Sequence, residues 1–194
     1  AVEDEYRDAA DIIANAERPL LISGGGVRYS KAQDELARFS AEFGIPVTET
    51  YSGKGSGPIS ELNLGALGVT GTVGANEIAD GADVVITVGS RLQDFITASH
   101  SLFQNPEVKF VNLNVGSFDA HKMGSFPVIG DAKLSLAALR ERLAATDFVT
   151  SADYRSEIAD ARKATLEVRK HDLQAFPGEN MSQAQVIDVL NRTA

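Results

Sequence analysis

The chain has 194 residues, enough for one sizeable α/β domain with its own core, and its formal net charge is −9 at pH 7. Because it contains no cysteine, disulfides, thiol nucleophiles and cysteine-ligated metal clusters are excluded, and a cytoplasmic location is predicted. The acidic balance argues against nucleic acid as a partner, and no apolar run approaches the ~20 residues of a membrane-spanning helix.

The first part of the chain alternates apolar runs of strand length with segments of helical period. This alternation is typical of an α/β fold with a doubly wound parallel sheet flanked by helices. Ser30 is the predicted N-cap of one helix, because Gln33 stands at the capping-box position, and Gly44 ends that helix. The elements predicted here are a helix at 4–16, a strand at 20–23, a turn at 24–26, a helix between Ser30 and Gly44, and a strand at 45–48.

A glycine-rich stretch, 51–74, comes next and is too long for a plain connector. After it, the pattern predicts a short helix at 75–79, strands at 84–88, 110–113 and 127–129, and a helix that runs from its cap Asp131 to Leu143.

The character of the chain changes after Thr146. A charged helix is predicted at 151–173 and is broken by Phe176-Pro177-Gly178, and Ser182 with Gln185 forms a second capping box. We expect the helix that follows to pack its apolar face on another part of the full-length protein or on a neighbouring copy, because so short a helix does not persist alone in water. That face consists of Val186, Ile187, Val189 and Leu190.

Two glycine-rich segments are candidate ligand sites. Gly24-Gly25-Gly26 stands between a strand and a helix, where backbone N–H groups can hold a diphosphate, and Glu49 at the end of the next strand could bind a ribose. The dinucleotide fingerprint would need a further glycine at Tyr29. The run from Gly65 to Gly74 lets the backbone approach either a ligand or a neighbouring element. For both segments a pure packing role stays open.

Arg91 follows the strand at 84–88, at the edge of the sheet where open α/β folds collect ligands. It is suited to a phosphate or an adenine, and the alternative is a salt bridge with Asp94. His100, His121 and His171 lack the spacing of metal ligands, and no Gly-x-Ser-x-Gly elbow is present. The basic residues Lys163, Arg169 and Lys170 are interleaved with acids, which favours a solvated helix face.

The order of these motifs resembles the central domain of thiamine-diphosphate enzymes, the family of acetohydroxyacid synthase and pyruvate oxidase. The resemblance covers about 9–143. It is carried by Gly24-Gly25-Gly26, Pro46-Val47-Thr48-Glu49-Thr50-Tyr51-Ser52-Gly53-Lys54-Gly55, Leu67-Gly68-Val69-Thr70-Gly71 and Val88-Gly89-Ser90-Arg91-Leu92-Gln93-Asp94. Further segments resemble the branch that opens a cyclic diketone by C–C hydrolysis in inositol catabolism. These are Asn63-Leu64-Gly65, Arg91-Leu92-Gln93-Asp94-Phe95, Leu102-Phe103-Gln104-Asn105-Pro106 and Asn112-Leu113-Asn114-Val115.

The resemblance implies an NAD/FAD-binding type of doubly wound sheet in a full-length enzyme that uses thiamine diphosphate and Mg²⁺. The two cofactor motifs of the family belong to its other domains and do not occur here, so we expect this chain to be inactive alone and to serve structure and assembly. The implied plan is a central domain at 1–146, a helical linker at 147–180 and the start of the following cofactor-binding domain at 181–194. The implied partners are the other domains of the same polypeptide, in a homo-oligomer, with neither nucleic acid nor membrane.

In flavin-containing members of the family, the central domain binds the ADP part of FAD. The matching positions here are Gly24, Gly25, Gly26, Thr50, Gly68, Gly89, Arg91 and Asp131, and no catalytic residue or metal ligand is predicted.

The chain departs from the flavin pattern at two places. Asn112-Leu113-Asn114 replaces an acidic Asp-Ile-Asp, and Gln93 and Phe95 stand where an acid and an arginine are usual. We therefore expect a concave groove with Arg91 pointing in, free of FAD, which accepts a free ADP-like ligand weakly through its glycines and depends on Asn112 and Asn114 at the ribose end. Two alternatives stay open: an acetolactate synthase-like central domain with FAD, and a stand-alone nucleotide-binding domain.

Overall fold

A computed structural model of the chain describes residues 2–174 and 180–193, so the predicted break at 176–178 lies outside the described residues. The strands are β1 Pro19–Ser23, β2 Val47–Glu49, β3 Asn63–Ala66, β4 Val84–Val88, β5 Lys109–Asn114 and β6 Phe126–Ile129. The helices are α1 Glu3–Ala14, α2 Gly25–Tyr29, α3 Gln33–Phe43, α4 Val73–Asp80, α5 Asp94–Thr97, α6 Ser117–Ala120, α7 Ala132–Leu143, α8 Ala152–Gln174 and α9 Gln183–Thr193. Short 3-10 turns occupy Tyr51–Gly53 and Lys122–Gly124.

The strands form one six-stranded sheet in the order β3-β2-β1-β4-β5-β6, and every neighbouring pair is parallel. This confirms the predicted doubly wound sheet. Every residue of β1 and β4 is buried, because helices cover both faces, and continuous apolar runs result. The strand order reverses between β1 and β4, and this topological switch point is where ligands collect in such folds.

Two hydrophobic clusters hold the helices on the sheet. The first packs α1, α3 and α7 on one face, around Phe39 and Leu136. The second packs α4 and the beginning of α8 on the opposite face, and it includes Tyr154, Ile158 and Ala161. The first turns of the predicted linker are therefore part of the core of this fold.

The predicted capping role of Ser30 is wrong. The glycines at 25 and 26 do not form a simple turn but begin α2, so that Ser30 lies at the C-terminal end of that helix. Lys31 then adopts a left-handed conformation with φ 52°, and α3 begins at Gln33 with Ala32 as N-cap. The Ser30 hydroxyl instead donates a hydrogen bond of 2.7 Å to Oδ2 of Asp131.

The glycine-rich stretch contains a strand that the sequence did not reveal. β3 pairs with β2 at the edge of the sheet, and its register shifts between Val47 and Thr48. Thr72 covers the outer side of this strand: its N–H donates to the carbonyl oxygen of Ala66 at 2.8 Å, and its hydroxyl donates to that of Leu64 at 2.7 Å. These bonds satisfy edge carbonyls that would otherwise be open to another strand.

The terminal helix α9 forms as predicted. The Ser182 N–H donates to Oε1 of Gln185 at 2.8 Å, and the Gln185 N–H donates to the Ser182 hydroxyl at 3.2 Å, which confirms the capping box. In the chain by itself the apolar face is open, and its predicted packing on another part of the full-length protein or on a neighbouring copy stays a prediction. The exposed fractions are 43% for Val186, 51% for Ile187, 38% for Val189 and 59% for Leu190.

Across residues 2–174 and 180–193, no helix is both long enough and apolar enough to cross a membrane.

Candidate functional site

A cavity of about 330 Å³ lies at the carboxyl edge of the sheet, at the switch point. Segments that follow β1, β2, β4, β5 and β6 contribute its walls, as expected when loops after parallel strands meet at one crevice. The lining residues are Gly25, Gly26, Tyr29, Ser30, Thr50, Ser52, Gly89, Ser90, Arg91, Gln93, Ile96, Leu113, Asn114, Val115, Asp119, Gly130 and Ala132.

The structure brings together five of the eight residues predicted for this groove. Gly25, Gly26, Thr50, Gly89 and Arg91 line the cavity. The other three predicted residues, Gly24, Gly68 and Asp131, are absent from its lining, and each has a structural role that accounts for its position.

Close packing of two loops explains the glycines after β1 and β4. A Cβ added to Gly26 would lie 2.6 Å from Cα of Gly89, which is a backbone atom that cannot move aside. The Gly24 N–H donates to the carbonyl oxygen of Val88 at 2.9 Å, and the Gly26 N–H donates to that of Gly89 at 3.1 Å. Of these three glycines, only Gly25 therefore keeps an N–H that could turn to a diphosphate.

The glycine run at 65–74 also serves packing. Gly68 has a φ of 94°, and the amide of Asn76 holds it from both sides. Oδ1 of Asn76 accepts from the Gly68 N–H at 2.9 Å, and Nδ2 donates to the Gly68 carbonyl oxygen at 3.0 Å. At the end of the run, Gly74 lies directly against the backbone of Ala161 in α8.

Asp131 is a helix cap. Its Oδ1 accepts from the N–H groups of Lys133 at 3.0 Å and Leu134 at 3.1 Å, while Oδ2 accepts from Ser30. The hydrogen bond from Ser30, followed by that from the Leu134 N–H, lowers the pKa of Asp131 below its usual range. The residue thus fixes α7 beside the cavity but does not line it.

Arg91 and Ser90 are two polar residues of the cavity whose side chains have no partner in the described part of the chain. Arg91 is exposed and makes neither the alternative salt bridge with Asp94 nor any hydrogen bond within the described ranges. Ser90 is 4% exposed, and its buried hydroxyl also lacks a hydrogen-bond partner among the described residues. A buried hydroxyl without a partner is costly, and a rotation of the Ser90 side chain toward the cavity would allow a ligand oxygen to satisfy it.

Sequence reasoning missed Ser90 and Asp119. Ser90 stands between Gly89 and Arg91, two residues that were singled out, and its position directly after a buried strand was the available signal. Asp119 comes from α6, which the hydrophobic pattern does not reveal. One of its carboxylate oxygens lies 2.9 Å from Nζ of Lys122.

Asn112 and Asn114 of β5 were expected to contact the ribose of a ligand, and this expectation is wrong for Asn112. This side chain is fully buried and donates from Nδ2 to the carbonyl oxygen of Asp119 at 2.9 Å. Asn114 does line the cavity, but its amide is engaged on both sides. It donates to the carbonyl oxygen of Ser90 at 2.9 Å and accepts from the Gly116 N–H at 3.0 Å.

Glu49, the other candidate for a ribose, holds a loop instead. Its carboxylate accepts from the N–H groups of Gly55 and Gly57, each at 2.9 Å, and from Nδ2 of Asn63 at 3.3 Å. It is 7% exposed and lies in neither of the cavity linings at this edge.

A second cavity of about 450 Å³ continues the groove. It shares Thr50, Ser52, Gln93 and Ile96 with the first cavity, and its further walls are Tyr51, Leu67, Thr70 and Phe95. The combined groove therefore has one polar end and one more apolar end, a shape that suits an anionic group attached to an apolar body.

The described residues offer no cluster of side chains that would form a metal site of their own. Across residues 2–174 and 180–193, no group of three or more His, Cys, Asp or Glu side chains could hold a metal ion. The histidines lie apart: Nδ1 of His121 is 2.7 Å from the carbonyl oxygen of Ser117, and His171 is next to Asp172 on α8.

The parallel sheet and its switch-point groove define a Rossmann-like domain, and comparison with known families makes the class specific. Residues 6–139 match the family described as the thiamine pyrophosphate enzyme, central domain, and the chain belongs to this family.

Its curated relatives include the 3D-(3,5/4)-trihydroxycyclohexane-1,2-dione hydrolase of Clostridium perfringens. That protein is 48% identical over 171 residues, which are 88% of this chain and 26% of the relative. The 3D-(3,5/4)-trihydroxycyclohexane-1,2-dione hydrolase 1 of Bacillus cereus is 45% identical over 178 residues, which are 90% of this chain and 27% of the relative. The chain thus spans about a quarter of the length of the curated relatives it matches.

Proposed function

We propose that this chain is the central structural and assembly domain of an enzyme that hydrolyses a C–C bond of trihydroxycyclohexane-1,2-dione in myo-inositol catabolism. The observation that carries the proposal is the identity of 48% to a relative of that name, over 88% of this chain. Membership of the thiamine pyrophosphate enzyme family supports the implied dependence on thiamine diphosphate.

In this proposal, the other domains of the polypeptide hold thiamine diphosphate and Mg²⁺, which supply the chemistry of C–C cleavage. The described residues of this chain offer no metal-binding cluster of their own. Their part is to hold the two clusters of the core together and to present the edges of the sheet and the helices α8 and α9 to the remaining domains. Assembly of the full-length enzyme into a homo-oligomer and its cytoplasmic location stay predictions.

The test is whether the purified full-length enzyme opens the ring, and the reaction is monitored through the disappearance of the cyclic diketone. We expect turnover that requires both thiamine diphosphate and Mg²⁺ and that disappears after chelation and dialysis. Formation of acetolactate from pyruvate, with a tightly bound flavin and no action on the diketone, would contradict the proposal in favour of an acetolactate synthase-like enzyme. Calorimetric titration of the isolated 194-residue chain with thiamine diphosphate and Mg²⁺ is expected to give no measurable heat of binding.

We also propose the division into a central domain at 1–146, a linker at 147–180 whose first turns pack on the core of that domain, and the start of the following domain at 181–194. Support for the start of a further domain comes from α9. Its apolar face is exposed, and few hydrogen bonds and ion pairs join this helix to the rest of the chain. Nε2 of Gln185 donates to the carbonyl oxygen of Leu173 at 2.8 Å, and Arg169 pairs with Asp188 at 2.9 Å. A helix attached so sparsely needs a further surface to cover its apolar side.

The groove at the switch point is proposed to accept a free ADP-like ligand weakly and to reject FAD. Arg91, the Ser90 hydroxyl and the Gly25 N–H support anion binding there, whereas Asn114 is already engaged. The test is a titration with ADP followed by amide chemical shifts. We expect a Kd in the millimolar range, and the Arg91→Met variant should bind more weakly by roughly tenfold, since a charged hydrogen bond contributes about 1.5–3 kcal/mol. Shifts confined to other parts of the chain would contradict this assignment.

A further inference from the structure

All exposed aromatic side chains in the described part of the chain lie at one edge of the sheet. Their exposed fractions are 93% for Tyr29, 82% for Tyr51, 54% for Phe95 and 83% for Phe118. They follow β1, β2, β4 and β5 respectively, so they share the carboxyl edge. A single exposed aromatic residue is ordinary, but a cluster at one edge is typical of a surface that another protein covers.

These aromatics surround one groove. Tyr29 lines the first cavity together with the exposed Val115, and Tyr51 and Phe95 line the second. Phe118 lies on the first cavity's flank: its ring is 5.5 Å from Nζ of Lys122, the partner of the lining residue Asp119. We call this set of side chains around the two cavities the aromatic edge.

Unpaired cations lie on the same edge. Arg28, Lys31, Lys54 and Arg91 have no ion-pair partner among residues 2–174 and 180–193, and Arg28 donates only to the carbonyl oxygen of Lys54, at 3.4 Å. The edge also carries carboxylates, but Asp119 pairs with Lys122 and Asp131 caps α7, while Asp94 is exposed beside Phe95. The four unpaired cations are available to the carboxylates of an acidic partner.

We propose that the aromatic edge is the docking surface for another domain of the full-length polypeptide, which presents carboxylates to the four cations and apolar side chains to the aromatics. About three quarters of each matched relative lies outside the aligned part, since that part is 26% of the relative's length. A small ligand in the groove would leave Arg28, Lys31, Lys54 and Phe118 uncovered, because none of them lines either cavity. A partner the size of a domain covers them together with the groove.

The proposal rests on the proposed function for the existence of the other domains, and its test is separate from turnover. Because this chain has no cysteine, single cysteines can report on its surface in the full-length enzyme. The variants are Tyr29→Cys and Phe118→Cys, with Leu134→Cys as the matched control, since Leu134 is 70% exposed on α7. The rate of maleimide labelling is measured after subtraction of the unsubstituted enzyme, and turnover of the diketone confirms that each variant is folded.

We expect both edge cysteines to react at least tenfold more slowly than the control, and at the control's rate once urea has unfolded the protein. Labelling as fast as that of the Leu134→Cys variant in folded enzyme would overturn the proposal. Slow labelling that appears only after addition of ADP would assign the edge to a ligand, and slow labelling that is lost on dilution would assign it to a second copy; both contradict the proposal. Slow labelling in an enzyme without activity on the diketone would contradict the proposed function and leave the docking surface supported.

Discussion

Gly26 and Gly89 lie backbone against backbone at the switch point, where the Gly26 N–H donates to the Gly89 carbonyl oxygen at 3.1 Å. The two loops that form the groove are therefore held together by main-chain atoms. Gly89 has a φ of 61°, so its left-handed conformation is part of the same arrangement.

The Gly26→Ala substitution is expected to lower the free energy of unfolding by about 2–3 kcal/mol, because the new methyl group overpacks a backbone contact. The measurement is urea unfolding followed by circular dichroism. Gly116→Ala is the matched control, since the nearest atom to its added Cβ is 3.6 Å away. Equal stability of the two variants would show that the loops can separate freely.

Tyr154 fastens α8 to the sheet. Its hydroxyl donates to the carbonyl oxygen of Pro19 at 3.0 Å in a buried position, and the guanidinium of Arg18 lies 5.4 Å from its ring. Tyr154→Phe should cost about 1 kcal/mol of unfolding free energy, since it leaves a buried carbonyl oxygen without its donor. Tyr29→Phe, at an exposed site, should change nothing measurable. An unchanged free energy of unfolding in the Tyr154→Phe variant would show that this hydrogen bond does not stabilise the fold.

Burial raises the pKa of Tyr154 well above its usual range. Its contribution is therefore fully present below the unfolded pKa of ~10, and it is lost as the pH rises above that value, since the unfolded chain releases the proton first. We expect the stability difference between the unsubstituted chain and the Tyr154→Phe variant to shrink between pH 9 and pH 11, values chosen to bracket a pKa of ~10. Urea midpoints across this range measure it, and a constant difference would contradict the assignment.

The lowered pKa of Asp131 gives the opposite pH dependence. A carboxylate with a depressed folded pKa stabilises the fold above its unfolded pKa of ~3.9, and this contribution is lost as the pH falls through the folded pKa. Asp131→Ala should cost about 1 kcal/mol at neutral pH through loss of the cap on α7. Asp131→Asn should keep most of the cap and remove the pH-dependent part, so its unfolding midpoint should fall less steeply below pH ~4.

A substitution on the exposed face of α9 is expected to act differently on the isolated chain and on the full-length enzyme. Leu190→Ser should leave the stability of the isolated chain unchanged, because Leu190 is already 59% exposed. In the full-length enzyme, the same change should cost about 1.5–3 kcal/mol if the following domain buries this side chain. Thermal unfolding of both proteins tests this, with Leu134→Ser as the control. No effect in either protein would contradict the proposed start of a new domain at 181–194.

The sequence predicts the sheet well because its strands are buried on both faces. β1 and β4 are continuous apolar runs bounded by glycine, and their helices carry an apolar stripe with the right period. β3 escapes prediction because its residues Asn63 and Gly65 have low strand propensity, and it forms because Thr72 and β2 satisfy its backbone. Tertiary contacts override local preference at this edge.

The residues of the candidate groove are predicted only in part, again because tertiary contacts decide what each residue meets. The position of a glycine after a strand indicates a close approach, but it does not say whether a ligand or a neighbouring loop is approached. At Gly26 the neighbour is Gly89, and at Gly68 it is the segment after β4, with Asn76 holding the loop. Asn112 and Asn114 lie on the same face of β5, because side chains alternate along a strand. Asn112 fails as a ligand residue because it lies further back in the strand, where its side chain bonds to Asp119 of α6, whereas Asn114 lies at the carboxyl end, where the cavity opens.

The packing of α8 on α4 also bears on how this protein can be shortened. Tyr154, Ile158 and Ala161 belong to the second core cluster, and Thr165 accepts a hydrogen bond of 2.9 Å from the Gly74 N–H. A gene fragment that stops at Thr146 would leave an apolar surface on α4 open to water, and its product should aggregate during expression. The shortest soluble fragment should extend to about Thr165, where the hydrogen bond to Gly74 ends the contact with α4.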